Sequence, residues 1–285
     1  MSESHEGTEV PGSTGIAGVD LRIGYHGTTV VHGASIRLRA GRVTALVGPN
    51  GSGKSTLLRA LARLHRPNQG EVALVDGTSA FALSAKDFAR RVTLLAQSRP
   101  TPSGVTVRDV VAYGRYPYRS RWRDGDPGGP RAIARAMEVT GLRDMAGRPV
   151  DELSGGEGQR VWLATCLAQD TGVLLLDEPT TFLDLRYQVE ILDLIHDLAV
   201  DHGVAVGVVL HDLNQAAAVA DQVVLLDAGH VRASGTPGEV LTDAHLSETY
   251  GIRVDVSTDP DTGHLIARPV GRHTHRVREL TADTP

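Results

Sequence analysis

The sequence predicts an α/β fold with helices on both faces of a parallel sheet, and three observations carry that expectation. Short β-branched runs at residues 43–47, 72–75, 92–95, 173–176, 204–210 and 222–226 alternate with stretches of helical periodicity. Several of these runs are apolar at successive positions, as strands covered on both faces are. A glycine-rich string follows run 43–47 and precedes Leu57, Leu58 and Leu61 at helical spacing, giving strand, loop and helix in that order.

The 285 residues suit one large domain or a domain with a subdomain, and a hydrophobic share of 41% is enough for a proper core. A net charge of −5 and a pI near 6.2 lack the basic face that general nucleic-acid binding needs, so no nucleic-acid partner is expected. Cys166 is the single cysteine. It excludes an internal disulfide and, among Val161, Leu163, Ala164 and Leu167, reads as a small core residue. No run of about 18 apolar residues occurs, so a membrane role has to come through a partner.

Taken in order, residues 1–15 are polar and rich in Gly, Ser and Glu, without the apolar stretch of a secretion signal, and a disordered tail is expected. Residues 19–25 and 34–39 alternate in character and form an antiparallel pair. Next comes Gly48-Pro49-Asn50-Gly51-Ser52-Gly53-Lys54-Ser55-Thr56, which satisfies G-x-x-x-x-G-K-[ST]. Its glycines let backbone N–H groups converge on an anion, and the helix that starts there adds its positive end. The chain has only two lysines, Lys54 and Lys86, against 27 arginines, and one of them sits in this string. A compact ammonium slides between phosphate oxygens where a planar guanidinium fits less well.

Strand signals vanish between Val105 and Gly156, where two helical stretches flank an Arg-, Gly- and Pro-rich loop at residues 115–130. A helical subdomain inserted at about residues 105–160 is expected. Beyond Leu241 the pattern is mixed. Residues 252–285 are expected as a C-terminal extension, polar and mobile from Arg268 onward; His273 and His275 within it read as solvated rather than as a metal pair.

A second half of the site lies at run 173–176, which leads into Asp177, Glu178 and Pro179. Pro179 should stop the strand and hold Glu178 extended, leaving two carboxylates at the strand's carboxyl end, where such sheets place ligands. Asp177 is the expected partner of Mg²⁺, with Ser55 supplying a hydroxyl, while Glu178 is free to deprotonate an attacking water. Gln97 ends run 92–95, where its amide can ligate Mg²⁺ or hold that water. His211 ends run 204–210 and can sense a γ-phosphate. Tyr25 is a candidate to stack on adenine. In Leu153-Ser154-Gly155-Gly156-Glu157-Gly158-Gln159-Arg160, Ser154 and Glu157 form a capping box, and the glycines expose backbone N–H groups as a second anion site. One compact chain cannot readily bring both helix starts to one γ-phosphate; a second copy can.

At these residues the sequence resembles the ABC-type ATP-binding subunits, in the family's motif order, from about residue 18 to residue 251. The resemblance implies a P-loop NTPase fold with a RecA-like parallel-sheet core, an N-terminal antiparallel β region and an ABC domain over residues 16–251. It makes Tyr25 the adenine-stacking aromatic, Gly48 to Thr56 the Walker A loop, Gln97 the Q-loop residue, and Leu153 to Gln159 the signature. Asp177 and Glu178 match Walker B and the catalytic glutamate, Asp184 the D-loop, and His211 the switch histidine. Catalysis then falls to Glu178, His211, Lys54 and Gln97. ATP contacts come from Tyr25, the loop, Ser154, Gly155, Gly156, Glu157 and Asp184, and Mg²⁺ contacts from Ser55, Gln97 and Asp177. The implied partners are a second copy, a multi-span permease and, indirectly, an extracytoplasmic siderophore-binding protein. The implied location is peripheral, on the cytoplasmic face of the cell (inner) membrane.

The stretches Gly114-Arg115-Tyr116-Pro117 and Leu210-His211-Asp212-Leu213-Asn214-Gln215-Ala216 are similar to those of ferric-siderophore importers, the ferric-enterobactin type above all. Haem, cobalamin or other metal-complex transporters are the neighbouring reading. A non-transport ABC ATPase is the reading from a different class, and such proteins usually carry two ATPase units or a long coiled-coil insertion, neither of which occurs here.

Overall fold

The computed structural model describes residues 14–97, 102–119 and 126–271. The expected N-terminal tail up to residue 13 and the pair His273 and His275 lie outside the described residues. Gly15, assigned to that tail, instead opens β1 (Gly15–Tyr25), because it pairs with Arg39 of β2 (Thr28–Arg39).

Run 43–47 becomes β3 (Val43–Val47), buried at all five positions, and Lys54 opens α1 (Lys54–Leu61). The run at 72–75 belongs to β4 (Gln69–Leu74), which is not a strand of the parallel sheet. It lines up antiparallel with β1 in a three-stranded sheet of order β2-β1-β4, since only alternate positions, Val72 and Leu74, are apolar and buried. A short α2 (Ala85–Ala89) leads to β5 (Val92–Leu95).

Three helices then follow: α3 (Val107–Ala112), α4 (Gly129–Val139) and α5 (Gly155–Ala168). They share a core of their own, including Val107, Val110, Met137, Leu142, Val161 and Ala164. The segment Tyr113–Tyr118 between α3 and α4 is a 3₁₀ turn held by Arg115. The Arg115 guanidinium forks onto Asp126 at 2.6 and 3.0 Å and donates to Ala168 O at 2.9 Å. Both side chains are nearly buried, at 7% and 13% exposure, and the hydrogen bond from Arg115 holds the Asp126 carboxyl below the usual carboxylate range. Replacing Arg115 by methionine strands a buried carboxylate and should cost about 3 kcal/mol, or roughly 6–12 °C in Tm by calorimetry. Because the Asp126 pKa is depressed, the pair's contribution is complete at neutral pH and is lost as acid protonates Asp126. The wild-type advantage over the variant should therefore narrow on acidification.

The rest of the parallel sheet follows as β6 (Val173–Asp177), α6 (Leu185–Val200), β7 (Ala205–Val209), α7 (Leu213–Val219) and β8 (Gln222–Asp227). The antiparallel edge strand β9 (His230–Gly235) was not expected from the sequence; its pattern of half-buried and exposed positions carries no apolar run. The order is β5-β6-β7-β3-β8-β9, with five parallel strands. One face packs on α6 and α7, and the other packs through Leu46, Leu175 and Val209 against α1 and the antiparallel sheet. Gly207 in β7 is needed at that seam, since a Cβ there would lie 2.6 Å from Leu38 Cδ1.

The C-terminal region is more ordered than its mixed composition suggests. After α8 (Pro237–Val240) and α9 (Asp243–Tyr250), a hairpin of β10 (Val254–Thr258) and β11 (Leu265–Pro269) buries Val254 and Ala267 in the main core. Arg268, expected in a mobile tail, is therefore part of a strand. The Asn214 side chain fastens the hairpin to α7, accepting from Ala267 N–H at 2.8 Å.

Candidate active site

Parallel strands in register deliver their carboxyl ends to one edge, and four of those ends carry the predicted residues. Strand β3 exits into Gly48, β5 leads to Gln97, β6 ends at Asp177 and Glu178, and β7 leads to His211.

The loop after β3 is shaped for an anion. Gly48 has a φ of 139°, and a Cβ there would fall 1.9 Å from Leu226 O, so only glycine permits this path. Gly53 stands at the N-cap of α1 with φ 99° and provides no side-chain cap, leaving the first-turn N–H groups to an outside acceptor. The Ser52 hydroxyl is buried without a hydrogen-bond partner, an orphaned donor inside the loop. Lys54 folds onto its own loop, donating to Gly48 O and Pro49 O at 2.8 Å each. Burial pushes its pKa below the ordinary lysine value, while Glu178 and Asp177 pull in the opposite direction.

Ser55 Oγ donates to Asp177 Oδ1 at 2.6 Å, so a hydroxyl and a buried carboxylate meet as a hard-oxygen pair of the kind that holds Mg²⁺. Arg59, one turn beyond Ser55, reaches Asp177 Oδ2 at 3.4 Å.

Glu178 departs from its predicted conformation. Pro179 was expected to leave it extended, but its φ is 55°, in the left-handed region. Such a residue persists only where its surroundings fix it. Here they do: Gln97 Nε2 donates to Oε2 at 2.5 Å, His211 Nε2 meets Oε1 at 2.5 Å, and Thr181 Oγ1 lies 3.4 Å from Oε2. Gln97 thus rests on Glu178 rather than on the Ser55–Asp177 pair. The β6 exit is tied to the next two helices by a chain of amides. Thr180 Oγ1 donates to Gln215 at 2.9 Å, and Gln215 Nε2 donates to Gln188 at 2.8 Å.

The remaining predicted residues stand apart. Tyr25 ends β1, partly exposed, against the His65 ring at 4.3 Å between centroids. Ser154 and Glu157 form the expected capping box on α5: Ser154 N–H donates to Glu157 at 2.8 Å, and Glu157 N–H to Ser154 Oγ at 3.3 Å. The bond from Ser154 N–H holds the Glu157 carboxyl below its usual range. Gly155 and Gly156 open the helix, and a Cβ on Gly156 would strike the Tyr187 ring at 2.4 Å. No hydrogen bond or ion pair among the described residues joins this helix start to the Gly48–Thr56 loop. Asp184 is exposed at the N-cap of α6.

Sequence reasoning missed Arg59, Thr181, His65 and Tyr250. Arg59 was legible as the residue four after Ser55 on one helix face. Tyr250 was not; its hydroxyl faces the Gly48 backbone N–H from a helix 202 residues away, and burial raises its pKa.

Comparison with known proteins follows the same lines. Residues 31–181 match the family model described as ABC transporter. The chain is 42% identical over 260 residues to the ferric enterobactin transport ATP-binding protein FepC of Escherichia coli (strain K12), covering 90% of this chain and 94% of that protein. It is also 42% identical over 242 residues to the iron(3+)-hydroxamate import ATP-binding protein FhuC of Bacillus subtilis (strain 168), covering 85% and 90%. In structure it superposes on the ADP conformation of MJ1267, an ATP-binding cassette of an ABC transporter, with a TM-score of 0.74 at 21% identity over 83% of this chain and 98% of that one.

Proposed function

The chain belongs to the ABC transporter ATP-binding family, and from that premise we propose that it is the ATPase subunit of an importer that energises uptake of a ferric siderophore. The observation that carries the ATPase chemistry is the convergence of Lys54, Ser55, Asp177, Glu178, Gln97 and His211 at one edge of the sheet. The cargo reading rests on relatives whose names refer to enterobactin and hydroxamate iron complexes.

ATP binds with its phosphates on the Gly48–Thr56 loop. Lys54 leaves the Gly48 and Pro49 carbonyls for phosphate oxygens, and the orphaned Ser52 hydroxyl and the uncapped N–H groups of α1 gain acceptors. Ser55 and Asp177 would hold Mg²⁺, which when bound neutralises charge on the phosphates. Glu178 takes the proton of the attacking water, with its two oxygens aimed by Gln97 and His211. His211 shares its contact between Glu178 and the γ-phosphate, so loss of that phosphate reaches α7 and, through Asn214, the C-terminal hairpin.

The signature helix start has no partner in its own chain's nucleotide loop, which fits a head-to-tail pair of chains. Each would present Ser154 and Gly156 to the other's γ-phosphate and close upon it. An apolar stripe beside Asp184 supports the pairing: Phe182 is 97% exposed, with Leu185 and Val189 following it at helical spacing. No helix among the described residues is long and apolar enough to cross a membrane. As an importer's ATPase subunit it would act with a permease, on whose cytoplasmic side it would sit, supplied with cargo by an extracytoplasmic binding protein.

The test is growth on a ferric siderophore as sole iron source. Cells without this chain should fail to grow while still using ferrous iron, and wild-type protein but not Glu178→Gln should restore growth. The tagged protein should copurify with a multi-span membrane protein. Normal growth of the deletion strain on every ferric siderophore tried would refute the cargo assignment.

A further inference from the structure

A cavity of about 630 Å³ has no role in the ATPase chemistry. It lies at the opposite edge of the sheet from the nucleotide residues, where Gly172 and Val204 enter β6 and β7, and is roofed by α4. Its size is that of a small-molecule site. The inner wall is apolar, built from Cys166, Leu174 and Leu198. The rim carries Arg131 and Arg135, four apart on α4 and so on one helix face.

Two like charges one turn apart repel each other, and a helix usually offsets them with a nearby carboxylate. Among the described residues neither arginine has such a partner. Arg135 instead donates to His202 Nδ1 at 3.1 Å across the mouth of the cavity. A guanidinium can only donate, so His202 accepts there and contributes no proton at that nitrogen. Asp170 also lines the cavity, so two guanidiniums face one carboxylate at the rim, above the apolar wall.

We propose that this cleft binds a small amphiphilic organic anion, with its carboxylate or sulfonate on the Arg131 and Arg135 guanidiniums and its apolar body on Leu174 and Leu198. Guanidinium forks match such oxyanions two bonds at a time, and the enclosed floor gives the body a place out of water. An occupant touches α4 of the helical region and the core strands and α6 together.

The probe is 8-anilinonaphthalene-1-sulfonate, titrated into the full chain and followed by fluorescence, with benzoate as competitor. One saturable site is expected. Binding should weaken at least about tenfold both in Arg131→Glu/Arg135→Glu and in Ala132→Phe, which fills the cleft without altering charge, while circular dichroism and Tm remain those of a folded protein. Equal binding by the parent and both variants overturns the proposal. So does binding lost only in the arginine variant, which would place the anion on exposed guanidiniums alone. Thr14 also lines the cavity, so a variant lacking residues 1–13 is the remaining arm. Unchanged affinity supports a free ligand, whereas affinity raised about tenfold would give the cleft to the chain's own amino-terminal segment and overturn it equally.

Discussion

Glu178→Gln should bind ATP as tightly as the parent while its steady-state hydrolysis falls by about 10²–10⁴. Glutamine has the size of glutamate and retains the geometry that Gln97, His211 and Thr181 impose at 2.5, 2.5 and 3.4 Å. It cannot take a proton from water. Binding without turnover should then accumulate the closed pair, seen by sedimentation as an ATP-dependent dimer. The Phe182 stripe supplies an independent check on that species. A phenyl ring 97% exposed in the single chain gains about 2 kcal/mol when a partner covers it, and the symmetric pair covers two, so Glu178→Gln/Phe182→Ser should dimerise roughly a thousandfold more weakly. Rapid turnover by Glu178→Gln would remove Glu178 from its assigned role. A double variant that dimerises as well as the single one would remove the stripe from the interface.

Where the chain's own periodicity coincides with its burial, the sequence was readable. Residues 173–176 are all apolar, and residues 43–47 are apolar except for Thr44, because both sheet faces are covered, and each run leads directly into site residues. The positions of Gln97 and His211 followed from the same rule, since parallel strands deliver their carboxyl ends together. Three features were not readable in this way. Strand β4 has too few residues to distinguish a half-buried antiparallel strand from a covered one, so residues 72–75 were placed in the wrong sheet. Hairpin β10–β11 is short and alternates weakly, and it is stable through Asn214 and the main core rather than through its own pattern. The left-handed turn at Glu178 runs against the local preference that Pro179 sets, and contacts from β5, β7 and the Thr181 loop enforce it. These are tertiary causes, and the last of them falls on the candidate catalytic residue, where local rules are expected to yield.

Lys54→Ala should raise the dissociation constant for ATP by at least about a hundredfold while leaving the protein folded. Lys54 is 5% exposed and its ammonium makes two hydrogen bonds of 2.8 Å, to Gly48 O and Pro49 O, so the side chain is already positioned and buried before nucleotide arrives. Moving it onto phosphate oxygens exchanges neutral acceptors for charged ones, and charge-assisted bonds of that kind are worth about 1.5–3 kcal/mol each. Lys54→Arg should not restore affinity, because a planar fork needs more room than this buried loop offers. A pH titration provides a second readout. Burial lowers the Lys54 pKa, so in the free protein its proton is lost below the usual lysine range. Wild-type affinity should therefore decline on the alkaline side at a lower pH than an exposed lysine would require, and Lys54→Ala should show no such decline. Equal affinity of the parent and Lys54→Ala at neutral pH, measured with a fluorescent ATP analogue, would mean that phosphate is held elsewhere. The assignment of Ser52, Ser55 and Asp177 around it would then fail with it.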